Sequence, residues 1–559
     1  MEADKHRQRH EALKKQATNW KDLWREIAEQ VRPRAIRFTP LDVTRTGTTR
    51  NDEIINCEPT ISSRTLAAGL HSGITSPSRP WFRLGLSDPA LEQHGGVKEY
   101  LAESENVVRE HFAKSNIYGA LATLYSDLVD FGTALLHFDE DDEDVFRAYV
   151  FPVGSYVLAN SPRLAVDTYY HSGTMTVRQL VEMFGEEACS LSVREQFRNG
   201  ALDEVVEVTR CVVPNPKAAK APSEKTPATR KPWLQYWWET KQPADADGAA
   251  KFLRVAGYNE KPFMAPRWQT TGEDVYGHGP GMVALGDCKA LQALEVVRAK
   301  MHAKIVDPPL VAAGHLQQRT VSMLPGGVTY AASVTGADVI RPIHEVHGAA
   351  PGVAAADVRE HELRIRKAYF ADLWLMLSQS ETPMTAREVA ERREEKLLQL
   401  GHVLEKLQDE LLEPLIARAI AILTRKGLMP ELPEVLKGQP YKVEYISMMA
   451  QAQKTLGLTA IDRTAGFVAN LVQTFPSAAD VLDVDATIEA YAQATGVTPK
   501  MIRPKAELAK LREQKAKQAK QQAAMQQAPE AAKTMKAMGE TDTSKVAEVS
   551  EMLRGLGVR

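Results

Sequence analysis

The sequence predicts an α+β chain that is mainly helical, and three observations carry that reading. Apolar residues recur at three- and four-residue steps over the first 131 residues and again after 286. A central stretch, 145 to 275, breaks into short β-like runs separated by turn residues. Two long helices, 286–306 and 353–377, bracket a module rich in Gly, Pro and β-branched residues. At 559 residues the chain exceeds one ordinary domain, so two to four structural regions are expected.

In order, Leu13, Ala17, Trp20, Trp24, Ile27 and Val31 mark a first helix that Pro33 ends. A second helix, 61–70, stops at the Gly/Ser/Pro cluster Ser72–Pro80, and Trp81–Leu84 reads as a short strand. Helices over 96–114 and 116–131 follow. Strands are expected at 145–150, 166–170, 205–213, 233–239 and 251–258. The Lys/Ala/Pro/Thr-rich insert 214–232 reads as a mobile surface loop. Leu291, Leu294, Val297, Met301 and Ile305 form one side of the 286–306 helix, about 30 Å long, which Asp307-Pro308-Pro309 stops. After 384 a new helix keeps its spacing through Val389, Leu397, Leu404 and Leu415, and Pro414 is expected to kink or split it. The region beyond Pro433 is mostly helical, with a Lys/Gln/Ala stretch over 505–537.

The net charge of −3 lacks the basic excess of a static DNA binder, yet does not exclude a conduit, where tight phosphate contacts would slow a moving duplex. Cys57, Cys189, Cys211 and Cys288 lie far apart with no CxxC spacing, so neither a disulfide framework nor a zinc set is expected. The charged N-terminus and the absence of a bilayer-length apolar run point to a chain that is neither exported by a standard signal nor membrane-spanning.

No phosphate loop, HExxH or GxSxG motif occurs. His344-Glu345-Val346-His347 has the wrong spacing for a zinc helix and reads as loop histidines. The acidic run Asp139–Asp144 lacks the Gly and terminal Glu of a calcium loop and reads as a solvated turn. Basic residues over 500–520, interrupted by Glu507 and Glu513, read as a solvated helix face ahead of a phosphate track. Trp233, Tyr236, Trp237 and Trp238 read as packing residues ahead of a base-stacking platform. No enzyme, cofactor or metal is expected. A nuclease or packaging ATPase is the rival of another class, and a head-tail adaptor or scaffold that does not pass DNA is the closer alternative.

An ordered series of short motifs resembles the portal, or head-to-tail connector, family of short-tailed bacteriophages. Trp20, Trp24, Ile27 and Pro33 are similar to its opening helix. Thr65-Leu66-Ala67-Ala68-Gly69-Leu70 with Ser76-Pro77-Ser78-Arg79-Pro80-Trp81-Phe82 resembles its most recognisable signature. Met175–Leu180 with Phe184-Gly185, Pro262-Phe263, Arg267-Trp268, Tyr276–Pro280, Asp307-Pro308-Pro309 and Met384–Arg392 complete the series over residues 15 to 430.

The resemblance implies a ring, typically of twelve copies, at one capsid vertex, through which double-stranded DNA is packaged, retained and ejected. It implies a wing (1–285), a first stem helix (286–306), a clip (307–352) and a second stem helix (353–377). A tunnel loop (378–384), a long wing helix (385–435) and a crown with a C-terminal helical tail (436–559) would follow. The tunnel loop would be Ser378, Gln379, Ser380, Glu381, Thr382, Pro383 and Met384, a polar segment with one charge that contacts passing phosphates weakly. Arg359, Arg364, Arg366 and Lys367 are the candidates to face the channel from the stem. Gln317, Gln318, Arg319 and Arg341 are the clip residues expected to dock the terminase large subunit and then the tail adaptor. Major capsid, scaffolding and tail proteins are the other implied partners, in the virion and, during assembly, the host cytoplasm.

Overall fold

The computed structural model describes residues 2–38, 54–86, 95–219, 226–241, 252–307, 310–311, 341–342, 350–375, 400–433, 436, 441–445, 463–471, 475, 482–495, 508 and 511–518. The N-terminal helical stretch is two helices, α1 (Glu2–Gln16) and α2 (Thr18–Val31), ended by a 3-10 turn at Pro33–Ala35. Trp24, Ile27, Ala28 and Val31 bury one face of α2, and the Trp24 indole donates to the Phe131 carbonyl at 3.2 Å. Next come α3 (Glu58–Ile74), β1 (Phe82–Leu86), α4 (Gly95–Lys114) and α5 (Ile117–Phe131). The helix expected to stop before Ser72 continues through Gly73 to Ile74, because the small residues there pack against another element.

Two antiparallel sheets form the middle of the chain. The smaller, in the order β3-β2-β9, contains β2 (Leu135–Asp141), β3 (Val145–Phe151) and β9 (Phe263–Met264). The larger runs β4-β5-β6-β7-β8 through Tyr156–Asn160, Val166–Thr176, Val205–Pro214, Trp233–Glu239 and Arg254–Tyr258. Short helices α6 (Val177–Phe184) and α7 (Leu191–Arg198) sit between β5 and β6. The first opens with a capping box: Thr176 Oγ1 accepts from the Gln179 amide and the Gln179 side chain from the Thr176 amide. Tyr236, Trp237 and Trp238 are buried packing residues.

The 214–232 insert is closed at its neck, since Asn215 donates to the Pro232, Thr229 and Lys231 carbonyls at 2.8–2.9 Å. The acidic run is not a solvated turn throughout. Asp139, Glu140 and Asp141 belong to β2, and Asp139 is drawn under the larger sheet by His137 at 3.5 Å and the Tyr258 hydroxyl at 3.2 Å.

Then come α8 (Pro280–Val306), which opens six residues earlier than expected with Pro280 in its first turn, and α9 (Ala350–Ala368). Between them only Leu310–Val311 (β10) and Arg341–Pro342 (β11) are described, as an antiparallel pair. The helix expected to run to 377 is interrupted: Phe370 adopts a left-handed φ of 51°, and a short helix α10 (Ala371–Leu375) follows.

Pro414 does not split the next helix. Between α11 (Gly401–Leu407) and α12 (Glu413–Arg425) the backbone widens into a π turn, Gln408–Leu412. In a regular helix the proline ring would collide with the carbonyl four residues back, that of Glu410, and the wider turn relieves this. The turn also sends the Glu410 carboxylate to the buried Arg267, whose guanidinium it meets at 2.6 Å and whose amide donates to it at 2.8 Å.

One large apolar core joins α2, α3, α5, α8, α12 and both sheets. A second small core lies under α6 and α7. Strand β12 (Tyr441–Tyr445), which the sequence division puts beyond 435, pairs antiparallel with β1, Phe82 opposite Tyr445. A helix at Val484–Thr495 (α13) is tied by Asp485 to the Arg512 guanidinium at 2.6 and 2.7 Å, on an exposed, solvated face of the basic stretch.

Candidate functional site: the paired helices and the turn after them

The long helices α8 and α9 pack side by side, and polar clamps fix them to the body. The first half of α8 is anchored by close backbone approach: a Cβ on Gly281 would lie 2.2 Å from the Asp130 carbonyl, so only glycine fits. Gln292, on α8, accepts from the amides of Ile55 and Asn56 at 2.8 and 3.0 Å and returns a bond to the Asn56 carbonyl at 2.8 Å. The Asn56 side chain donates to Glu295 of α8 and Glu362 of α9, both at 2.9 Å. One short segment ahead of α3 therefore sets the spacing of the pair.

Behind the clamp lies a buried charge cluster. Arg32, at the end of α2, reaches Asp127 at 2.5 Å and Asp130 at 3.1 Å, and Ser63 donates to Asp130 at 2.5 Å. Burial pushes both carboxyls above the usual carboxylate range, and the Arg32 charge offsets part of this. Tyr369, fully buried, stands beside them at the end of α9.

The four stem cations divide into two groups. Arg366 is held within the chain by Glu58 at 2.7 and 2.9 Å, and Arg364 by Glu360 at 2.5 Å, with Asp287 3.7 Å away. Arg359 and Lys367 are exposed and have no ion pair among the described residues. With exposed Leu363 they stand at four-residue steps and form one stripe. Of the clip residues, Arg341 is described only as backbone, opposite Val311, while Gln317, Gln318 and Arg319 lie outside the described residues. The loop Ser378–Met384 and the His344–His347 segment lie outside them too.

The apolar side expected on α8 is covered unevenly. Leu291 is fully buried and Leu294 and Met301 half-buried, whereas Val297 is 59% exposed and Ile305 45%. Sequence reasoning missed Asn56 and Gln292, which carry no periodic signal. It also missed Trp374, whose indole lies on Gly69 and Gly73; the four-residue step of those glycines inside a helix was the signal that could have found it.

An α+β chain with a clamped pair of long helices and an uncovered apolar flank has the design of a structural assembly protein. The chain belongs to the family described as bacteriophage head to tail connecting protein, which matches residues 3–502. It is similar to the portal protein of Salmonella phage epsilon15, 41% identical over 549 residues, covering 98% of this chain and 97% of that protein. It is also similar to a probable portal protein of Bordetella phage BPP-1, 36% identical over 545 residues, covering 97% and 96%. Its role is that of a portal, a virion component at the junction of head and tail. Among the described residues no helix is long and apolar enough to cross a membrane.

Proposed function

We propose that this chain is one wedge of a closed ring, twelve copies in the family's usual form, whose bore passes double-stranded DNA into the capsid, retains it and releases it. The observation that carries the reading is the flank of α8: Val297 and Ile305 continue a side that is buried further up the same helix, yet stay exposed among the described residues. Apolar side chains in series at helical spacing call for a cover, and a different, complementary surface of the next copy supplies one when subunits close head-to-tail around an axis.

In this reading α8 and α9 are the stem, the chain between them is the clip, and residues 1–285 with 385–435 are the wing. The β1–β12 pairing favours carrying the wing on to Tyr445 before the crown begins. The clip, with Gln317, Gln318, Arg319 and Arg341, docks a terminase during packaging and the tail adaptor afterwards. Capsid and scaffolding proteins hold the wing while heads assemble in the host cytoplasm. Of the stem cations, Arg359 and Lys367 remain candidates for the bore, because Arg364 and Arg366 are already engaged. The loop Ser378–Met384 lies at the narrowest point and makes weak, replaceable phosphate contacts. No covalent step is needed from this chain, since the force comes from a separate ATPase.

Negative-stain images of the purified full-length chain test the ring: perforated particles of rotational symmetry are expected, and a population of solid monomers overturns it. Deleting Gln379–Thr382 and measuring DNA in assembled heads tests the loop. Packaging and retention at the parent level remove the loop from the mechanism.

A further inference from the structure

The turn that ends α9 holds opposing features within six residues. Phe370 sits at φ 51°, a left-handed conformation that a β-carbon disfavours. Tyr369 is fully buried, and its hydroxyl has no hydrogen-bond partner among the described residues; the indole N–H of half-buried Trp374 has none either. All three are costs that the bent form carries. On the other side, the Trp374 indole lies so close to α3 that a Cβ on Gly69 would come within 2.3 Å of the ring and one on Gly73 within 3.1 Å. Leu373 is buried beside it. The apolar spacing of the sequence, meanwhile, encodes an unbroken helix to 377.

We propose that Tyr369–Trp374 is a releasable latch. With Trp374 bedded on Gly69 and Gly73 the end of α9 is held bent, and when the indole leaves its bed Phe370 returns to helical φ and α9 runs straight on. The latch combines a strained residue, two unsatisfied polar atoms and one shape-matched apolar contact, so modest forces tip it. It also gives the Gly69 of the Thr65–Leu70 motif a purpose, since any larger residue there displaces Trp374. Trp374 thereby acts as a positioning residue for the chain that continues at 376. Only this consequence rests on the reading of Ser378–Met384 as the tunnel loop.

Hydroxyl-radical footprinting of the assembled full-length chain, with oxidation at Trp374 read by mass spectrometry, tests the latch. Gly69→Ala is expected to raise the Trp374 oxidation rate about fivefold, and Gly73→Ala, the milder intrusion, to raise it less. Adding Tyr369→Phe, which removes a buried hydroxyl without a partner, is expected to bring the Gly69→Ala rate back towards the parent. A parent-like rate in Gly69→Ala overturns the latch, as does a raised rate that Tyr369→Phe fails to reverse. Heads carrying Gly69→Ala separate the two claims. Raised oxidation with loss of retained DNA supports both, and raised oxidation with parent-level DNA keeps the latch while overturning the tunnel-loop reading.

Discussion

The two-sheet middle of the chain and the paired helices solve the burial of polar groups in opposite ways. Under the sheets, His137 is fully buried, bonded to the Tyr169 hydroxyl at 3.0 Å and set 3.5 Å from Asp139. Arg210 has no carboxylate in hydrogen-bond contact among the described residues; aromatic faces surround it instead, Phe151 at 3.8 Å and Trp237 at 5.1 Å. Arg418 bonds the Phe138 carbonyl at 2.8 Å and Glu260 at 3.3 Å. The partners of this half come from its own strands and α12, although His137 Nε2, Arg210 Nε and Arg418 Nη2 are left without a hydrogen bond among the described residues. The helical pair is clamped at one end by Asn56 and Gln292, but its far end keeps bare apolar side chains. A region whose partners lie outside the subunit is expected to expose apolar side chains, and the far end of the paired helices does so.

The largest effect expected from breaking the contrast is at the charge cluster behind the clamp. Arg32→Met leaves Asp127 and Asp130 buried together with no counter-charge, and breaking a buried pair by removing one partner costs about 3–5 kcal/mol. Chemical denaturation of the full chain should show that loss. A variant as stable as the parent means the carboxyls rely on another partner.

Next in size is a pH effect confined to the sheets. Burial, with Arg210 and Arg418 nearby and against the pull of the Asp139 carboxylate, pushes His137 down to about 4. The folded state thus holds the imidazole neutral while an unfolded chain protonates it near its ordinary value of about 6.5. As pH falls from about 6.5 towards 4 the unfolded state takes up protons that the folded state refuses, so stability declines across that window and is flat above it. The His137 share amounts to about 3 kcal/mol. Asp139, held down to about 2 despite its partial burial by His137 and Arg418, stays ionised throughout. Unfolding free energies at pH 7.5 and 4.5 should therefore differ less in His137→Gln than in the parent, whereas buried His10 and half-buried His171, also shifted down, keep some slope in both.

The halves also differ in what the sequence disclosed. Period-two runs such as Val205–Val213 and Trp233–Glu239 became strands nearly to the residue, because a strand packed within its own chain must show its pattern locally. Leu135–Asp141 escaped notice because its acidic end looks like a turn; the reason it pairs is His137 and Tyr258, one adjacent and the other 119 residues away in contact. At the site, helix spacing placed α8 and most of α9, and the ordered motifs gave the family. Asn56, Gln292 and the seat of Trp374 were not legible: single polar residues bridging segments more than 200 positions apart leave no local period, and an apolar run signals helix whether or not a tertiary contact later bends it.

The smallest expected effect on the fold is the most informative about the comparison. Val297 is largely exposed, so Val297→Asp should change the stability of the isolated subunit by no more than about 0.5 kcal/mol. If the flank is covered by the next copy, the same substitution buries a carboxylate without a partner once per subunit around the ring, and assembly fails while the melting temperature holds. Ile305→Asp, two turns further along α8, should behave alike. Light scattering beside a thermal melt reads both quantities on one sample. Rings that persist in the double variant would show that this flank faces solvent or another partner, and the apparent incompleteness of the helical half would then belong to the latch turn alone.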